Sequence, residues 1–205
     1  MERTDLIGPG EPERVRWTLD LVQAHADVPG LRVLDLACRI GSFAVAFANA
    51  GARVLAVDGR QENLDHAPEH RGVKYRLDDV RNLSVRRHGK HDVTLCLGIL
   101  YHLSAEDAIR LLAAMRKVTE RFAVVDTHVG YDQGDAVVGG VAYRGAVFGE
   151  TPGHPWSALD NPTSWWFTED SLDEAIRAAG WNEIRHVAGQ SWAGEDDDRR
   201  WLVIS

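Results

Sequence analysis

The chain has 205 residues, enough to bury a substantial core in one domain and too few for two domains of ordinary size. Hydrophobic residues make up 44% and charged residues 26%, which excludes wholesale disorder. With 31 acidic against 23 basic residues the formal charge is −8, which disfavours electrostatic capture of a nucleic-acid backbone. No apolar run is long enough to span a bilayer, and Met1 to Asp5 lack the apolar core of a signal peptide, so a cytoplasmic protein with no membrane partner is expected. Cys38 and Cys96 fit neither a C-x-x-C pair nor a disulfide framework, which suits a reducing compartment.

In chain order, Glu13 to Ala26 is predicted as a helix bearing Val15, Leu19 and Val22. From about Gly30 to Asp126 short β-branched runs alternate with helical stretches, the pattern of βαβ units and a parallel sheet. The strands are predicted at 32–36, 53–57, 73–77, 92–97 and 122–125, short and mostly apolar as buried parallel strands are. Between the first two, Phe43 and Phe47 stand one helical turn apart and Gly51 sits where a C-terminal cap belongs. Ser104 with Asp107 predicts a helix start, and Thr168 predicts another, with Gly180 at its end. The Gly- and Pro-rich stretch from Asp126 to Phe167 breaks the alternation and is expected to be long and irregular, hence functional or mobile. Two antiparallel strands, near 181–187 and 200–204, are expected to close the chain, joined by a turn holding Gly189 and the acidic run Glu195 to Asp198.

The first strand runs Val33-Leu34-Asp35-Leu36 into the loop Ala37-Cys38-Arg39-Ile40-Gly41 and then a helix, so backbone N–H groups face a ligand at the carboxyl edge of the sheet. The second strand ends in Asp58-Gly59, where a carboxylate can accept ribose hydroxyls; capping the next helix is the alternative role for Asp58. The loop has one glycine where a pyrophosphate site usually spells G-x-G-x-x-G, which separates it from an NAD-dependent oxidoreductase.

The loop resembles the first motif of class I, Rossmann-like S-adenosylmethionine-dependent methyltransferases of the small-molecule type, with Ala37 and Arg39 at two positions where that family commonly has glycine. The segment Val73 to Leu83 resembles the family's third motif, and Leu97-Gly98-Ile99-Leu100-Tyr101-His102-Leu103 its L-G-x-L-Y-H-L stretch. The resemblance covers residues 31 to 103 and extends more weakly through Asn161 to Thr168. It implies a single domain over 1–205: a seven-stranded, mostly parallel α/β sheet with helices on both faces and an antiparallel last strand, a helical segment over 1–29 and an acceptor-side insertion over 128–167.

It also implies S-adenosylmethionine as cofactor, held by Asp35, Ala37, Arg39, Gly41, Asp58, Gly59, Asp79, Val80, Leu97 and Gly98, with Asp79 toward the adenine amino group and Asp78 a solvated or loop-capping neighbour. Arg39 can reach the methionine carboxylate or stand in solvent. The implied reaction is methyl transfer to an oxygen or nitrogen of a small molecule; a cofactor-binding protein without catalysis is the alternative that the lost glycines raise. His102 and His128, each following a parallel strand, are the candidate bases for a hydroxyl acceptor, although His102 can equally be a packed residue or a cofactor contact. Tyr101, Trp165 and Trp166, together with Trp156, are candidates for the acceptor pocket, or else pack the insertion onto the sheet. No metal site is expected, because Pro68 interrupts the helix that would align His66 and His70. No segment bears on oligomeric state.

Overall fold

A computed structural model describes residues 10–151, 153–154, 156–188 and 198–205. The helix α1 (Glu11–Gln23) opens with Pro12 in its first turn and leads to the first βα units: β1 (Arg32–Leu36), α2 (Ser42–Asn49), β2 (Arg53–Asp58), α3 (Gln61–Asp65) and β3 (Val73–Leu77). The chain continues through the short helix α4 (Val85–His88), β4 (His91–Leu97), α5 (Ala105–Val118) and β5 (Thr119–His128). It then forms β6 (Gly134–Val138), β7 (Val141–Gly149), β8 (Thr163–Phe167), α6 (Glu169–Ala178), β9 (Ile184–Val187) and β10 (Arg199–Ile204).

The main sheet has seven strands in the order β3-β2-β1-β4-β5-β10-β9. Strands β3 to β5 of that order run parallel, and β10 pairs antiparallel with both β5 and β9. Because successive side chains of a strand point to opposite faces, Val33 of β1 enters a core with Val22, Phe43, Phe47 and Trp201, whereas Leu34 enters a second core with Leu112, Met115, Leu172 and Leu202. Strand order reverses between β1 and β4, both central, so the crevice beyond their carboxyl ends is where a parallel α/β sheet places its ligand.

The helix signals operate as expected. The Ser104 hydroxyl accepts the Asp107 N–H at 3.1 Å to start α5, and Thr168 accepts the Ser171 N–H at 3.3 Å to start α6. The first helix lies a few residues earlier than its apolar spacing suggests, and β5 extends three residues beyond the expected run at each end.

The glycine-rich stretch differs from its expectation. Much of it is a three-stranded antiparallel sheet, β6-β7-β8, packed through Tyr143, Trp165 and Phe167 on the second core, while the described residues between Gly149 and Thr163 are irregular as expected. Gly139 and Gly140, both left-handed with φ of 61° and 85°, form the two-residue turn between β6 and β7, with Val138 paired to Val141 across it. Two of the glycines that signalled irregularity are thus turn formers of a hairpin, and Gly134, Gly145 and Gly149 lie within its strands. The turn expected between the two closing strands, including Gly189 and residues 195–197 of the acidic run, lies outside the described residues. Among those described, no helix is long and apolar enough to cross a membrane.

Candidate active site

The loop after β1 doubles back on itself. Gly41 N–H donates to Cys38 O at 2.8 Å, and Cys38 N–H donates to Val57 O at 2.9 Å. Three of its residues are left-handed: Ala37 (φ 54°), Arg39 (φ 51°) and Gly41 (φ 77°). The two positions without glycine therefore keep the backbone conformation that glycine adopts freely, at a cost of about 1 kcal/mol each. At Gly41 an added Cβ would lie 2.5 Å from the Tyr75 hydroxyl, so both conformation and space favour glycine there.

The acid ending β2 organises this loop. Asp58, buried at 4% exposure, accepts the Arg39 N–H on Oδ2 at 2.8 Å. Its Oδ1 takes the Arg60 N–H and the Asn63 amide, each at 2.9 Å. Burial raises its pKa against the pull of these three donors. Helix α3 receives no side-chain cap, so Asp58 does not serve as its N-cap.

A cavity of about 240 Å³ lies beyond the carboxyl ends of the parallel strands. Ala37, Arg39, Asp58, Gly59, Asp79, Val80, Leu97, Gly98, Tyr101 and His102 all line it. The structure thus brings together most of the residues singled out in the sequence. Asp79 faces the cavity but is already engaged, accepting the Arg81 N–H and Nε, each at 2.8 Å. Its neighbour Asp78 is a buried ion-pair partner, not a solvated residue: Arg87 donates to it at 2.6 and 2.9 Å, tying the loop to α4.

Other expected residues fall outside that lining. Asp35 is buried beneath it; burial first, then the nearby Asp58 charge, pushes its carboxyl up to about 7, and its Oδ2 has no hydrogen-bond partner among the described residues. His128 is held by Asp198, with Nδ1 2.8 Å from the carboxylate, and stacks on Trp166 at 4.9 Å. Trp166 also stacks on Phe148 at 3.8 Å, and Trp165 packs its ring in the core while its backbone N–H donates to Leu103 O. Tyr101 stands between the two histidine rings, 4.3 Å from His102 and 4.6 Å from His128. The tryptophan on the cavity is Trp156, its ring 3.4 Å from the Arg39 guanidinium. Arg39 also pairs with Glu11 at 3.2 Å, so its guanidinium is held between Glu11 and Trp156.

Several site residues carried no sequence signal. Arg14 of α1 lines the cavity and binds the fully buried Asp126 at the end of β5, which Arg199 grips in bidentate fashion at 2.6 and 2.8 Å. Two arginines thus share one carboxylate beside Gly98. Arg60 donates to the carbonyls of Ser157 (3.1 Å) and Ala158 (2.8 Å), holding residues 156–161 over the cavity. Glu150 Oε1 lies 2.9 Å from His102 Nδ1. His102 has its pKa lowered by burial, partly offset by Glu150.

The arrangement is that of a class I, Rossmann-like methyltransferase fold, and residues 33–121 match the family described as methyltransferase domain. The chain is 35% identical over 123 residues to the ubiquinone biosynthesis O-methyltransferase of Xanthomonas campestris, a match covering 55% of this chain and 51% of that protein. It therefore spans about half the length of the curated relatives it matches. Among solved structures, the N-terminal domain of EvdMO1 with SAH and D-fucose superposes with a TM-score of 0.73 at 25% identity, over 94% of this chain and 80% of that one. The magnesium protoporphyrin IX methyltransferase of Synechocystis with bound SAM shares the fold at a TM-score of 0.63 and 18% identity, over 95% and 79% of the two chains.

Proposed function

We propose that this protein transfers a methyl group from S-adenosylmethionine to an oxygen or nitrogen atom of a small molecule. The observation that carries the reading is the meeting of Asp58, Asp79, Val80, Gly98 and His102 on one cavity at the carboxyl ends of the parallel strands.

The donor set suits the cofactor. Asp58 Oδ2 accepts one N–H and retains a lone pair for a ribose hydroxyl. Val80 offers an apolar wall and Asp79 a carboxylate for an adenine ring. Near Gly98 an added Cβ would come within 3.2 Å of Arg14 Nη2, so the absent side chain leaves room for a ligand beside that cation, which suits a carboxylate. S-adenosylmethionine, when bound, supplies the methyl group as a sulfonium. The residues of the chain align the acceptor and exclude water, with residues 156–161 covering the cavity. Where the acceptor is a hydroxyl, His102 accepts its proton on Nε2, since Nδ1 is taken by Glu150. His102 is favoured over His128 as base because it lines the cavity.

The names of the relatives support a small acceptor, an O-methyltransferase of ubiquinone biosynthesis and a domain crystallised with D-fucose among them. The setting proposed is the cytoplasm, supported by the two free, buried thiols Cys38 and Cys96. Calorimetry with S-adenosylmethionine, S-adenosylhomocysteine and NAD tests the reading: the two sulfur compounds are expected to bind, and binding of NAD alone would overturn it. Small-molecule extracts then identify the acceptor by a cofactor-dependent gain of one methyl mass.

A further inference from the structure

Glu150 stands directly after β7, with its side chain 6% exposed. Its backbone N–H donates to Pro162 O at 2.9 Å, which fixes the main chain. The carboxylate is filled on both sides. Oε2 accepts the Ser157 hydroxyl at 2.5 Å and the Ala158 N–H at 2.8 Å, while Oε1 lies 2.9 Å from His102 Nδ1. Burial alone would raise the Glu150 pKa, but the hydrogen bonds from Ser157, Ala158 and His102 outweigh it and hold the group below the usual range. An ionised carboxylate only accepts, so the ring atom facing it carries the proton.

We propose that Glu150 is a positioning residue for His102, holding the neutral imidazole with its proton on Nδ1 so that the Nε2 lone pair is left to receive the acceptor's proton. The inference rests on the reading of His102 as base. A carboxylate that orients a histidine in this way fixes both tautomer and ring angle. A purely structural role for the contact is redundant, because the covering loop has other anchors. Arg60 holds the Ser157 and Ala158 carbonyls, Asn161 donates to His102 O at 2.9 Å, and Arg81 pairs with Asp160 at 2.9 Å. The Arg60 N–H is itself bound to Asp58, so the base is aligned by the same loop that closes over the ribose side.

The groups facing the imidazole are Glu150, which raises its midpoint, and His128 and Arg60, which lower it, with the Tyr101 ring in contact. Nitrogen-15 spectra of the histidine rings, recorded on the full chain with S-adenosylhomocysteine present, read tautomer and midpoint directly. In the wild type His102 is expected as the Nδ1–H tautomer. Glu150→Gln keeps an accepting oxygen and therefore the tautomer, but loses the charge, and the midpoint falls by roughly one pH unit. Glu150→Ala releases the ring to populate the Nε2–H form, whereas Ser157→Ala leaves the tautomer unchanged. An unchanged midpoint in Glu150→Gln overturns the proposal, even if Glu150→Ala fails to fold. With an acceptor identified from the extracts, His102→Gln separates the two ideas. If turnover is unaffected, the base reading falls and this proposal with it. If turnover drops while Glu150→Gln leaves the acid limb of the pH–rate profile in place, only the role of Glu150 is lost.

Discussion

The Asp58 carboxylate accepts the backbone N–H of Arg39 at 2.8 Å, joining the end of β2 to the loop that follows β1. One side chain therefore sets the loop and also presents the remaining lone pair to the cavity. Asp58→Ala is expected to weaken S-adenosylhomocysteine binding by roughly 2 kcal/mol, about 30-fold, with the fold retained. Asp79→Ala should cost less, since Arg81 already occupies that carboxylate. Titration calorimetry on both variants checks the order, and equal affinity to wild type in both would show that the cavity is not the cofactor site.

Ala37 occupies a left-handed conformation with φ of 54°. Ala37→Gly removes that strain, partly offset by the greater freedom glycine has when unfolded, for a net gain of roughly 0.5 kcal/mol. Thermal unfolding should show a Tm rise of roughly 2 °C. Arg39→Gly, by contrast, also forfeits the stack on Trp156 and the Glu11 pair, and a gain of the same size there would mean that those contacts contribute nothing.

Burial and the neighbouring Asp58 raise the Asp35 carboxyl from 3.8 to about 7. The folded state then binds more protons than the unfolded chain between those values, so stability contributed by this group is full below 3.8 and is lost as the pH rises toward 7. The buried His88 and His91 act in the opposite sense: burial lowers both, so stability falls as the pH drops below 6.5. Urea unfolding from pH 4 to pH 8 should show Asp35→Asn removing the fall in stability that accompanies rising pH between about 4 and 7, while the histidine-linked fall with dropping pH below 6.5 remains. A parallel profile for variant and wild type would place the Asp35 titration elsewhere.

Trp166 stacks on Phe148 and His128, whereas Trp156 lines the cavity with 39% of its surface exposed. Trp166→Ala should therefore cost roughly 3 kcal/mol of stability. Trp156→Ala should leave stability within roughly 0.5 kcal/mol and instead weaken ligand binding. Denaturant melts beside ligand titrations distinguish the two, and a reversal of these effects would return the acceptor wall to Trp166.

Strands β1 to β4 were legible because their apolar runs are bounded by turn formers, and α5 and α6 because Ser104 and Thr168 announce them. The sheet β6-β7-β8 was not. Its strands are half exposed, as at Val137, Val141 and Val147, and its glycines, in the turn at 139–140 and within the strands at 134, 145 and 149, read as loop. In the site, loop residues such as Gly41 and Asp58 follow from local order along the chain. Arg14 with Asp126 and Glu150 with His102 are 112 and 48 residues apart, and no periodicity links such partners. Trp165 shows the limit from the other side, since a tryptophan in a core and one on a cavity are the same letter.

Strand β10 lies between β5 and β9 in the sheet, yet it follows both in the chain. While the chain emerges from the ribosome, β5 keeps an open row of backbone donors and acceptors along Ala123 to His128, and it stays open until residues 199–204 arrive. Such an edge invites pairing with other chains, and closing it requires a contact between distant parts of the polypeptide, which is slow. Asp126 sits on that edge, and Arg199 arrives with the closing strand. The pairing of Arg199 with Asp126 beside the cavity is therefore completed only when that strand docks, so a chain that has not yet made it has neither this edge closed nor this part of the site built.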